Sequence, residues 1–177
     1  AGMYLKRGFT IVELLIVIVV IAILASITIV AYNGIQAQAR DSQRKSDLAQ
    51  IAKAIQIRAV KYNTVIRSGD TCTSNTTGFF SQAGTSLTGS TYGAKSAAQC
   101  LKEEANISVA FVDPTGATSC VNGSPDTCYV YIFHSCSQGT FIYAHLETQP
   151  NSTTATDATC DGTYDTSWGM NYYVKAL

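Results

Sequence analysis

Glu13 is a carboxylate set among apolar side chains. Phe9, Ile11 and Val12 precede it, and the run from Leu14 to Ala25 is apolar throughout. An ionisable group inside lipid is costly unless something of opposite charge meets it, so such a residue points to a function. A second chemical group is formed by six cysteines: Cys72, Cys100, Cys120, Cys128, Cys136 and Cys160. Their spacings of 28, 20, 8, 8 and 24 contain no C-x-x-C pair, which argues against zinc. An even number confined to one part of the chain points instead to disulfides formed in an oxidising compartment. Chain order favours closing local loops, pairing Cys72 with Cys100, Cys120 with Cys128 and Cys136 with Cys160. A third group is Asp157, Asp161 and Asp165, spaced by four around Gly162 and Thr163. Oxygen ligands suit calcium, but the EF-hand spacing is absent, so these three read as a polar loop and no metal is expected. His134 and His145 lie in strand-like runs and read as ordinary strand histidines. No Ser-His-Asp ordering, P-loop or G-x-G-x-x-G element accompanies them, so neither an enzyme nor a cofactor is expected.

The charges that surround these groups are unevenly placed. The chain has 177 residues, 12 basic and 12 acidic, and a net charge of zero. Residues 1–62 hold eight basic and three acidic residues, a net of +5; residues 63–177 hold four and nine, a net of −5. With 46% hydrophobic and 14% charged residues, the composition excludes a disordered chain. A pI of 6.9 excludes a globally basic nucleic-acid binder.

Counting its interruptions, the N-terminal apolar stretch covers about 23 residues, against the roughly 20 that a membrane-spanning helix requires. Lys6 and Arg7 precede it and place the N-terminus on the cytoplasmic side. A secretory signal peptide has a shorter apolar run that ends at a small-residue cleavage site. A plain signal anchor explains the length and the charge but not Glu13.

Lys6-Arg7-Gly8-Phe9-Thr10-Ile11-Val12-Glu13-Leu14 resembles the processing site of the type IV pilin and pseudopilin family. The match runs over roughly residues 6–32; the remainder is similar only in layout. The resemblance implies a leader, residues 1–8, cut after Gly8 by a prepilin peptidase. Phe9 then becomes the N-terminus and is N-methylated. Glu13 sets the assembly register by pairing with the freed amine of Phe9 on a neighbouring subunit. Many members carry a glycine in mid-helix and a proline further on; here these positions hold Ala22 and Val30. The match resumes at the aromatic Tyr32. Lacking breakers, the helix has only Ser26 and Thr28 as places for local loosening.

Residues 9–32 are expected to form the transmembrane or filament-core helix, and residues 33–62 an amphipathic continuation. Residues 40–47 read as a polar collar, mostly a solvated helix face. Beyond it Leu48, Ile51, Ala52, Ile55, Ala59 and Tyr62 form one stripe at helical spacing, with Ile57 and Val60 off it. No proline interrupts residues 9–62, and one helix of that length spans about 80 Å. Residues 63–177 are expected to form a disulfide-rich head, opening with a long connection over 63–100 and a short helix at Lys95–Glu104. Strands are predicted at Asn106–Val112, Cys128–His134 and Gly139–Leu146, with a turn at Ser135–Gln138 and an edge strand at Asn171–Ala176. The fold class is α+β: a long N-terminal helix packed against a small antiparallel sheet, as the resemblance also implies. The Cys136–Cys160 pair would resemble the family's C-terminal disulfide-bounded region. Sequons occur at Asn75, Asn106, Asn122 and Asn151.

The function implied is structural: a major subunit of a type IV pilus, a helical homopolymer serving attachment, motility or uptake. Its partners would be other copies, the prepilin peptidase, the inner-membrane assembly machinery and, before assembly, the membrane itself. The chain would move from the cell membrane, head outward, to an extracellular filament. The alternatives are a type II secretion pseudopilin, a minor pilin acting as adhesin or DNA receptor, and a plain anchored protein. The net −5 of residues 63–177 disfavours nucleic acid as a partner of the head.

Overall fold

The structure is a computed structural model that describes residues 8–63, 77–79, 97–104, 106, 112–117, 120–121, 123–151, 160 and 164–177. It divides into two units, residues 1–39 and 40–177. Helix α1, Ile11–Tyr62, is continuous for 52 residues. No helix breaker lies within it, and its one glycine, Gly34, is accommodated without interruption. At the two positions singled out for loosening, the Ser26 and Thr28 hydroxyls donate to the carbonyls of Ile23 and Leu24. These side chains are thereby satisfied inside the helix instead of breaking it.

In the first unit every side chain from Phe9 to Ile35 is exposed. The apolar part of α1 is long and hydrophobic enough to cross a membrane, and none of it is buried. This unit therefore has no internal core to hold its apolar surface.

The second unit has two cores, one on each face of a sheet. Its elements are β1 (Thr77–Phe79), α2 (Ala97–Glu104), a 3-10 turn (Pro125–Thr127), β2 (Ile132–Cys136), β3 (Gly139–Ala144), α3 (Tyr164–Trp168) and β4 (Tyr172–Lys175). The strands form one antiparallel meander in the order β1-β2-β3-β4. The pleat sorts side chains to opposite faces. Tyr131, Phe133, Ile142, Ala144 and Ala176 meet Leu48, Ile51, Ala52, Ala54 and Ile55 of α1 and Ala97 and Leu101 of α2. Ile132, Phe141 and Tyr143 point the other way, toward Val130, Tyr164, Trp168 and Met170. Both faces are covered, which explains why β2 and β3 read as unbroken apolar and aromatic runs.

Several boundaries move. β2 begins at Ile132 rather than Cys128: its pairing starts there, with Phe79 on one side and Tyr143 on the other. β3 stops at Ala144 rather than Leu146, where β4 also runs out at Tyr172. The hairpin turn shortens to Ser137–Gln138. β1 and α3 carry no expectation, and most of Asn106–Val112 lies outside the described residues.

The collar differs most. Asp41 and Arg44 are buried, while Ser42, Gln43, Lys45 and Ser46 are exposed. Asp41, Arg44 and Leu48 follow at i, i+3 and i+7, so the buried stripe begins about two turns before its first apolar residue. It ends on Arg58, which is buried, while Tyr62 is exposed.

Candidate functional site

The start of α1 is organised by two side chains. The Thr10 backbone N–H and hydroxyl both donate to Glu13 Oε2, at 2.8 and 2.7 Å. In return the Glu13 N–H donates to Thr10 Oγ1 at 3.3 Å. This is a capping box: the residue before the helix and the third residue inside it satisfy donors that have no partner within the helix. It fixes the helix start at Ile11 and leaves Gly8, Phe9 and Thr10 outside the helix. The Thr-x-x-Glu spacing before an apolar run is the signal that marks it in sequence. All of these residues are exposed, Phe9 at 83%.

In the second unit the charges converge on Arg44. Its Nε and Nη2 donate to the two Asp113 carboxylate oxygens at 2.6 and 3.0 Å, a bidentate pair. Its Nη1 donates to Asp41 and to Glu147, at 2.8 and 2.7 Å. Arg40 makes a second bidentate pair with Glu147. Asp41 also accepts the backbone N–H groups of Glu147 and Thr148 and the Thr148 hydroxyl. The Arg44 guanidinium lies over the Tyr129 ring, 4.8 Å from its centre. The cluster thus fastens two loops, at Asp113 and at Glu147–Thr148, to one turn of α1.

Burial works against each charge here, and the hydrogen bonds overcome it. They hold the Arg44 guanidinium charged, above its ordinary value, with Asp113 and Glu147 the main acceptors. Asp41 is held below the usual carboxylate range by Thr148, Glu147 and Arg44. Glu147 is held below it chiefly by Arg40, then Arg44. At the far end of the stripe Arg58 Nε donates to Glu104 of α2 at 2.6 Å. Lys61 and Tyr62 donate to the Glu104 carbonyl. Helical period places Asp41, Arg44 and Arg58 on the packed face. Nothing in the sequence marks Glu104, Asp113 and Glu147 as their partners.

The remaining expected site residues are distributed through the same unit. Cys120–Cys128 and Cys136–Cys160 are disulfides, with Cα atoms 5.3 and 5.7 Å apart. Cys100 is buried in α2 and disulfide-bonded; Cys72 lies outside the described residues. Asp157 and Asp161 also lie outside them. Asp165 is buried in α3 and accepts the Thr166 N–H. Among the described residues no group of three or more His, Cys, Asp or Glu side chains is placed to hold a metal. His134 Nδ1 bonds the Tyr164 hydroxyl at 2.9 Å. His145 stacks on Tyr129 and is buried, which pushes its pKa below the ordinary value. No arrangement for acid–base or nucleophilic chemistry is formed by these two.

The part of the chain that points to function is therefore the exposed apolar helix with its capped glutamate. Residues 3–29 match the family model described as the prokaryotic N-terminal methylation motif. This chain carries the prokaryotic N-terminal methylation motif. It is the class III signal of type IV pilins and pseudopilins, a structural class. The motif implies processing by a prepilin peptidase and assembly into a pilus. Together with the apolar helix it fits a membrane-anchored precursor and then an extracellular filament. No curated protein matches the chain, and no solved structure does.

Proposed function

We propose that this chain is the major subunit of a type IV pilus. The observation that carries this is the methylation motif at the head of a helix whose apolar side chains from Ile11 to Ile35 are all exposed. Such a surface needs lipid or other helices around it. Residues 1–8 are the leader, and cleavage after Gly8 frees Phe9 for N-methylation. Residues 9–32 then enter the filament core, residues 33–62 continue toward the head, and residues 63–177 complete it. Glu13 sets register, because a neighbour's Phe9 amine supplies the charge it lacks in an apolar core and any other register leaves that charge unpaired. Six cysteines and Ser/Thr-rich loops suit a surface filament better than a periplasmic secretion pseudopilin. No nucleic acid is assigned to the head.

Electron microscopy and peptide mass spectrometry of filaments sheared from producing cells test this. The expected result is filaments dominated by this chain, with an N-terminal peptide beginning at methylated Phe9. Processing at Gly8 without surface filaments overturns the major-subunit role in favour of a pseudopilin or minor subunit. An unprocessed chain that tolerates Glu13→Ala overturns it in favour of a plain anchor.

A further inference from the structure

The Gly8–Phe9 bond lies just outside α1, and Thr10 is the residue that separates it from the helix. The Thr10 carbonyl accepts the Leu14 N–H at 3.3 Å, the first bond of the helical ladder. In a helix one residue longer, the Glu13 N–H would bond the Phe9 carbonyl, four residues back. Here that donor goes to Thr10 Oγ1, and the Thr10 N–H goes to the Glu13 carboxylate. The two arrangements compete, because both use the Glu13 N–H. Lipid favours the longer helix, which gives each backbone group a partner within its own segment. The cap is what holds Gly8 and Phe9 out of it. Gly8 supplies an independent sign that an outside partner handles this stretch. A Cβ built there would meet nothing within 4 Å, so no contact among the described residues requires a glycine.

We propose that Thr10 is a positioning residue for leader removal: its cap keeps the Gly8–Phe9 bond in non-helical backbone, where a peptidase can reach it. This rests on the cleavage after Gly8 proposed above. That cleavage is a hydrolysis. Water adds to the Gly8 carbonyl carbon and the bond to the Phe9 nitrogen breaks. The leader leaves as a carboxylic acid, and Phe9 takes the proton as a free amine. Inside a longer helix the Gly8 carbonyl would accept the Val12 N–H and be closed into the ladder. Thr10 touches none of the reacting atoms. It sets the fraction of precursor in which they are accessible, and a substrate competent only in part binds with its affinity reduced by that fraction.

The test is cleavage of the full-length precursor in detergent by the prepilin peptidase of the producing cells, with Thr10→Val, Thr10→Ser and Thr10→Asn. Valine keeps the shape of threonine and loses the hydroxyl; serine and asparagine change the shape and keep a capping acceptor. Thr10 is exposed and lies outside the head-bearing unit, so the core of the head is untouched. Thr10→Val should lower kcat/KM roughly fivefold, the shift that loss of a capping side chain brings. The change should fall on KM with kcat held, and backbone chemical shifts should turn helical at Phe9. Thr10→Ser and Thr10→Asn should stay within about twofold of the unsubstituted chain. Normal cleavage of Thr10→Val, or a Phe9 that stays non-helical in it, overturns the proposal. So does slow cleavage of the serine and asparagine variants, which would make Thr10 a side chain read directly by the peptidase. Failure of the unsubstituted precursor to be cut after Gly8 overturns instead the reading on which the proposal rests.

Discussion

Arg44 is a charge with no exposed surface, and three carboxylates from three segments hold it there. Taking a guanidinium out of water is costly, so the arrangement is stable only while its acceptors are complete. Arg44→Ala leaves the buried Asp113 without its bidentate partner and Asp41 without its guanidinium, while Glu147 keeps Arg40. The expected loss is roughly 3–5 kcal/mol of head stability, measured by denaturant unfolding of the full-length chain in detergent. Arg44→Lys should recover only part of it, because an ammonium cannot reproduce the fork that meets both Asp113 oxygens. A change below about 1 kcal/mol for Arg44→Ala, the scale of an exposed ion pair, would sink this account. A second residue-level constraint sits at Gly139, which closes the β2–β3 hairpin with φ at +136°. A Cβ there would lie 2.2 Å from the Leu177 carbonyl oxygen. Thr140 donates its N–H to that same oxygen, so the contact cannot simply open. Gly139→Ala should therefore destabilise the sheet and lower the melting temperature of the chain. The two residues differ in how far sequence exposes them. A glycine after a two-residue turn is a recognisable hairpin signal. An arginine in a polar run defaults to solvent, and its acceptors lie 69 and 103 residues away.

Helix α1 is one element in two surroundings. Up to Gln36 its side chains are exposed on every side; beyond Arg40 one stripe is buried and the opposite face is open. The stripe makes a differential prediction. Ile51 has no exposed surface and packs between the sheet and α2, whereas Ile57 stays half open. Ile51→Ala should cost about 2–5 kcal/mol, since it removes buried methyl groups and leaves a cavity. Ile57→Ala should stay within about 0.5 kcal/mol in the isolated subunit. Equal losses in unfolding experiments would mean that the two faces are not distinguished as described. The helix and its stripe were legible because a period of 3.6 residues is a local property, as was the β-branched and aromatic run that made β3 a strand. Strand ends were less so: β2 starts with the pairing of Ile132 to Phe79 and Tyr143, and pairing across a sheet is not written locally. Helix α3 has only five residues, too short for periodicity to register, and its place depends on Trp168 and Tyr164 filling the second core. Of the functional signal, Gly8, Phe9 and Glu13 were legible as a motif. The role of Thr10 was present in the same letters, as the first half of a capping box.

At the scale of the molecule, the head-bearing unit joins a buried neutral imidazole, a carboxylate cluster and disulfides, and this sets its response to acid. Burial lowers the pKa of His145, so the folded chain resists a proton that the unfolded chain takes up near roughly pH 6.5. Stability therefore begins to fall as pH drops below that value. The groups that face His145 are Arg44, which also disfavours its charge, and Asp126 and Asp41, which favour it. Glu147, lowered chiefly by Arg40, and Asp41, lowered by its hydrogen bonds against burial, act next. Their contribution is present above the ordinary carboxylate range, roughly 4, and is lost as pH falls through their lower folded values. Asp47 runs the other way, because burial raises it despite the Tyr131 hydroxyl. It gains a proton earlier in the folded chain and offsets part of the loss. The full-length chain with disulfides intact should show a flat melting temperature from pH 8 to 7, a shallow decline below about 6.5, and a steeper one below about 4.5. His145→Phe keeps a ring against Tyr129 but removes the ionisable group, so the shallow decline should disappear while the steep one remains. If His145→Phe melts along an unchanged curve between pH 7 and 5, the imidazole is not the group that senses mild acid. If Arg44→Ala also leaves the steep part unchanged, the carboxylates are not held low by the cluster built around that arginine.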